Sequence, residues 1–223
     1  GYIHKIIDCG TYIVRIHDSN GNSTLYTSVG TYTKPVAGVT AGAIASSGDI
    51  LWGKEVQLAV NFSYMDAVWD DANSRLIIAG QNQGGGDHLD AITYAIHGDK
   101  YLTSASALTA ITDYAINDYT VSLEWDDNAN KALILFTKAT ATDEVMCGLI
   151  DIDTGASNVP RIVIAPARVG ADEDARGINA QLKWADGGAG SGKNDVGLIV
   201  WQDNNDSDYT KCCAVSHNGS AMT

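Results

Sequence analysis

Tyr64-Met65-Asp66-Ala67-Val68-Trp69-Asp70-Asp71 is followed by Ala72-Asn73-Ser74 and then by Arg75-Leu76-Ile77-Ile78-Ala79-Gly80. An apolar run closes on Trp-Asp-Asp, a polar turn intervenes, and a second apolar run returns. After Gly84-Gly85-Gly86 comes a third run, Leu89 to Ile96, which closes on His97-Gly98. Short apolar runs bounded by Asn, Asp and Gly turns spell an antiparallel meander.

The pattern recurs, and recurrence at a fixed period sets architecture before any other signal. Val121 to Asp127 precedes Leu133 to Phe136, Ala180 to Asp186 precedes Leu198 to Trp201, and Tyr2 to Asp8 precedes Thr11 to Ile16. On this alignment Ile7, Trp69, Trp125 and Trp184 share one position, roughly sixty residues apart. Leu25 to Gly30, Thr93 to Gly98, Leu149 to Gly155 and Ala214 to Gly219 also correspond. Each ends in a turn with Gly, which adopts positive φ easily. A fourth run is expected within Val36 to Ile44 of the first copy and at Pro160 to Ala165 of the third. In the second copy it falls over Tyr101 to Ile111, where the alternation Leu102, Ser104, Ser106, Leu108 favours a strand over a short helix. The chain stops at Thr223, where the last copy's fourth strand would begin.

The reading is all-β: four serial four-stranded antiparallel meanders in one repeat domain. The units span about 1–60, 61–117, 118–177 and 178–223, the last incomplete. Such units point to β-propeller blades packed face to face around an axis; two packed β-sandwiches are the alternative. A lone meander exposes one face and two edges, so the units must pack on one another. The incomplete last unit leaves an edge open to strand addition from a partner. An opening Gly1 rather than Met reads as a processed product or a section of a longer polypeptide.

With 223 residues, 45% of them hydrophobic, the chain can bury a large core. A formal net charge of −13 argues against a duplex nucleic-acid partner, which needs Lys and Arg against phosphate, and against anionic lipid surfaces. No apolar run approaches the roughly 20 residues of a membrane-spanning helix, so no membrane insertion is expected, and no basic, apolar leader opens the chain. Cys9, Cys147, Cys212 and Cys213 form no C-x-x-C pair, so neither a zinc ribbon nor a thioredoxin motif is indicated. They read as small buried apolar residues, with a disulfide as the alternative. Adjacent Cys212 and Cys213 would point to opposite faces of a strand.

Trp69, Trp125 and Trp184 recur, which suits a packing role. Trp52 and Trp201 do not recur and are the candidate ligand-binding residues, since an aromatic face complements the C–H face of a pyranose. Asp203, Asn205, Asp206 and Asp208 crowd one loop and form the candidate metal site, with calcium as the cation that oxygen ligands would suit. Asp18-Ser19-Asn20-Gly21-Asn22 resembles the opening of a calcium loop, but the closing Glu is absent. The repeated turns Asp70-Asp71-Asn73 and Asp126-Asp127-Asn128-Asn130 read as turns whose side chains bond the local backbone.

Gly187 to Lys193 matches G-x-x-x-x-G-K, but Asn194 replaces the Ser or Thr of a phosphate loop and a strand follows instead of a helix, so it reads as a hairpin loop. Among the histidines, His97 and His217 share the turn position before Gly. No G-x-S-x-G elbow anchors a serine hydrolase. No pair stands out among 27 acidic residues as the two carboxylates of a glycosidase. No arginine cluster awaits an acidic sugar. The sequons at Asn22, Asn61, Asn205 and Asn218 carry meaning only in a eukaryotic source.

The Trp-Asp dipeptides resemble those of WD-repeat propellers, although here Trp-Asp ends a first strand and no Gly-His opens the repeat. The Asp turn resembles the Asp-box of sialidases without its Ser-x-Asp-x-Gly-x-Thr-Trp motif. Across all four units the acidic, small-residue-rich repeats are similar in style to the propeller repeats of phage tail fibres and other surface adhesins. That resemblance implies an extracellular or virion setting and a structural or adhesive module, non-enzymatic, with other subunits of its assembly and cell-surface glycans as partners. A propeller glycoside hydrolase or lyase is one alternative. A self-assembling extracellular filament subunit that accepts a strand is the other.

Overall fold

The computed structural model describes residues 4–18, 24–31, 50–139, 144–153, 158–169, 177–185, 196–203, 209–218 and 221–223. Among them there is no α-helix, hence none long and apolar enough to cross a membrane. The chain is all-β, with antiparallel sheets.

In the first unit β1 (His4–Cys9), β2 (Tyr12–Asp18) and β3 (Thr24–Thr31) form a meander. The outer edge of β3 is covered in two pieces. Short β4 (Leu51–Trp52) pairs with Gly30 and Thr31, and the start of β5 (Val56–Asp70) pairs with Thr24 to Thr27. The rest of β5 then opens the second unit against β6 (Arg75–Asn82) and β7 (His88–His97). Its outer position is split in the same way between β8 (Tyr101–Ser104) and the start of β9 (Thr109–Asp126). The remainder of β9 with β10 (Lys131–Lys138), β11 (Glu144–Asp153) and β12 (Val159–Arg168) makes the third unit. Finally β13 (Gly177–Ala185), β14 (Val196–Asp203) and β15 (Tyr209–Val215) form a separate three-stranded sheet.

The strands β5 and β9 are long, 15 and 18 residues, because each finishes one unit and starts the next. They join the first twelve strands into one hydrogen-bonded sheet. The change of partner on β5 falls between Asn61, opposite Thr24, and Phe62, opposite Asn82. On its outer edge the described partners of β3 are thus Leu51–Trp52 and Val56 to Asn61, while Val36 to Ile44 lies outside the described residues. Tyr101 to Ile111 is strand, interrupted after Ser104. Among the described residues the strand order is open, with no closed barrel or ring.

Three apolar cores lie between successive units. Side chains alternate across a strand, so a middle strand with a neighbour on each side must be apolar at every position. On β6, Leu76 and Ile78 enter the first core and Ile77 and Ala79 the second; on β10, Ala132 and Ile134 enter the second and Leu133 and Leu135 the third. The second core joins the second and third units. Below, the face a sheet turns to the next unit is its leading face, and the opposite one its trailing face. Trp69, Trp125 and Trp184 pack from the trailing side against the first, second and third cores in turn. At Gly197, opposite Trp184, an added Cβ would lie 2.8 Å from the indole and 2.9 Å from Val215.

Ile7 does not share the tryptophan position. It lies with Val14 in the first core, on the leading face of its sheet. The last pairs before each turn are Cys9–Tyr12, Asp70–Arg75 and Asp126–Lys131. Asp8 therefore stands where the other units carry Trp. A shift of one residue in a strand exchanges its two faces, and the two-residue β1–β2 turn at Gly10 (φ 78°) hides that shift in the sequence.

First strands of neighbouring units are tied by side chains. Asp66, buried, accepts the Leu123 N–H at 2.9 Å and pairs with Lys5 of the first unit. One unit on, Ser122 Oγ accepts the Leu182 N–H at 3.4 Å. The acidic turns are held as expected: Asp70 accepts the Asn73 N–H at 3.0 Å, and Asp126 accepts the N–H groups of Asn128 and Ala129 at 3.0 and 2.9 Å. Ser74 and Asn130 close these turns in the left-handed region, both at φ 52°. His217 departs from a plain turn role. It is nearly buried, bonds Asp126 Oδ2 through Nε2 at 2.6 Å and stacks on Trp184, whereas His97 is exposed and stacks on Tyr101.

All four cysteines are free thiols. Burial pushes the thiols of Cys9 and Cys147 up to about 12; Cys212 is exposed and Cys213 leans on the third core.

Five outcomes follow. Leu133→Ala should lower the unfolding free energy by about 2–5 kcal/mol, read from the denaturant midpoint. Leu198→Ala, at the same register position on an open face, should change it by less than about 0.5 kcal/mol in dilute solution. Asp66→Ala should cost about 1–3 kcal/mol by orphaning the Leu123 N–H. A thiol raised on folding stays protonated in the native state while the unfolded chain ionises, so stability should fall as pH climbs from 9 toward about 12. At neutral pH in dilute solution only Cys212 should react readily with a thiol reagent, as scored by peptide mass.

Candidate functional site

The first strands of all four units border one open groove of about 610 Å³. β1 supplies Lys5, Ile6 and Asp8; β5 and its turn supply Trp69 and Asp71; β9 and its turn supply Glu124, Trp125 and Asp127; β13 supplies Lys183. These positions surround the groove for one reason. Among the described residues the first strands share no backbone ladder with one another; Asp66, Ser122 and the Lys183–Glu124 pair tie them, and the groove opens near the strand ends.

The groove is polar and acidic. Of its charged lining, Asp8, Asp71, Glu124 and Asp127 stand against two lysines, and both lysines are engaged: Lys5 with Asp66 and Lys183 with Glu124. The Trp69 indole is half-buried, and its N–H donates to Asp71 Oδ1 at 2.6 Å, which fixes the ring plane at the rim. Trp125 occupies the matching place one unit on, also half-buried. Indole flanks beside hydrogen-bond acceptors offer apolar contact and polar recognition in one opening.

Neither candidate tryptophan belongs to this groove. Trp52 is 41% exposed at the edge of the first sheet, and the Arg15 guanidinium lies 5.5 Å from its ring centroid, over a face a ligand would use. Trp201 is 4% exposed and sits in the third core with Ile199 and Val215. Burial there suits a core role and leaves no face for stacking; a singleton in the repeat looks the same from sequence whether it faces in or out. Of the candidate cation loop, Asp203 ends β14 opposite Tyr209, and Asn205, Asp206 and Asp208 lie outside the described residues. So do Ser19 to Asn22 and Gly187 to Lys193. Among the described residues no cluster of three His, Cys, Asp or Glu side chains is arranged to hold a metal.

The sequence does contain the groove's signal, because Trp followed by Asp-Asp recurs. It reads as packing and turn chemistry, and both roles are real. What periodicity alone does not show is that half of each indole and the second Asp of each pair remain at the surface of one shared opening.

No protein-family model matches the chain, and no curated protein matches it. Among solved structures it is similar to an N-acetylgalactosamine deacetylase from F. plautii, crystallised in complex with blood group B trisaccharide, with a TM-score of 0.47 and 10% identity. The match covers 90% of this chain but only 62% of that one, and a likeness so distant carries no argument about activity.

Proposed function

We propose that this chain is a structural and adhesive repeat module of a virion or extracellular appendage, and that its groove binds a neutral glycan. The observation that carries the reading is the placement of Trp69 and Trp125 on one opening with Asp71, Glu124 and Asp127. Carboxylates accept bonds from sugar hydroxyls, and indole flanks cover the apolar side of a pyranose. The excess of carboxylate over free cation disfavours uronates and sialic acids. Four meanders whose first strands border one groove, with cores between successive sheets, support blades of a propeller type. The extracellular or virion setting rests on the style of the acidic repeats.

A glycan array probed with the purified chain tests the binding. Retention should be confined to neutral glycans. Trp125→Ala should weaken it by about tenfold, equivalent to ~1.4 kcal/mol, and Trp125→Phe should restore most of the loss. Failure to retain any glycan, or indifference to Trp125→Ala, would sink the proposal. Release of reducing sugar that vanishes on changing one groove carboxylate would replace it with a hydrolase.

A further inference from the structure

Among the described residues, no unit covers the leading face of the last sheet or the trailing face of the first. On the last sheet, Leu198 and Val196 are 50% and 40% exposed on the leading face. Register assigns Leu198, opposite Lys183, to the position of Leu133, opposite Glu124, and of Ile77, opposite Val68. Leu133 and Ile77 are both fully buried against a following sheet. Val200 and Cys212 pair at the position of Leu135 and Cys147, which are buried in the third core. On the first sheet, Ile6 is 63% exposed on the trailing face. By register it matches Ala67, Leu123 and Leu182, each buried against a preceding sheet.

From this we infer that the chain associates head to tail, the leading face of its last sheet receiving the trailing face of the first sheet of a second copy. The contact would be a fourth instance of the interface the chain already builds three times. Its charges agree with this. Val68 on a leading face and Trp125, at the tryptophan position of the next unit, both belong to the second core and both line the groove. At the new junction those two positions are Lys183 and Asp8, which carry opposite charge. Arg15, opposite Ile6 and standing where Ile78 and Ile134 stand in later units, is paired with Glu55 at 3.2 Å and laid over Trp52, so its charge enters the contact already partnered. Two different faces make the association heterologous. The rotation between units then decides between a closed ring and a filament.

Sedimentation velocity over a concentration series tests this. The wild type should show species larger than the monomer that grow with concentration. Leu198→Lys and Ile6→Lys should each be monomeric. Both sites are exposed in the single chain, so their unfolding midpoints in dilute solution should match the wild type. An equimolar mixture of the two variants should form a dimer and nothing larger, because it retains one intact face of each kind. In the wild type, labelling of Cys212 should slow as concentration rises. A monomeric wild type, association that survives in either variant, a mixture that stays monomeric, or Cys212 labelling independent of concentration would each overturn the inference.

Discussion

A sheet whose middle strand is dry on both sides needs a second sheet on each side, and that requirement organises this molecule. Leu76 and Ile78 point one way from β6, Ile77 and Ala79 the other, and all four are out of solvent. At roughly 25 cal/mol per Å² of buried apolar surface, one face of a small meander supports little by itself. Two faces shared with neighbours support the stack. The long strands β5 and β9 follow from the same need, since a strand that completes one sheet and opens the next keeps the two in contact.

Among the described residues the first strands share no ladder with one another, and buried polar side chains take over backbone groups that a ladder would have satisfied. Asp66 does this for Leu123 and Ser122 for Leu182. The groove is the space this arrangement leaves. Aspartate serves three ends within one short stretch of sequence: Asp66 bridges units, Asp70 holds a turn from full burial, and Asp71 fixes an indole at the groove rim. Local spacing tells the second role, because an Asx turn is a local bond. The third is also a local bond, between residues two apart, and only its place on a shared rim depends on other units; the first depends wholly on what a neighbouring unit brings alongside.

The meanders were legible because they are written in short-range terms: alternating or continuous apolar runs, Asp-Asn turns, Gly where φ is positive. The register of the first unit was not legible. Its turn is two residues shorter than those at Asp70 and Asp126, and aligning on acidic residues places Ile7 where Asp8 belongs. Burial of Trp201 was not legible either, since an unrepeated tryptophan gives no periodic neighbour to compare.

By itself, then, the amino-acid sequence determined an all-β chain of four serial meanders, its turn chemistry and its acidic surface, because each arises from residues close together along the chain. Tertiary structure alone decided which face of each strand meets the next sheet, which tryptophans border a shared opening, and which apolar faces stay uncovered. Those outcomes rest on contacts between residues some sixty positions apart, where a one-residue shift in pairing turns a side chain from core to solvent.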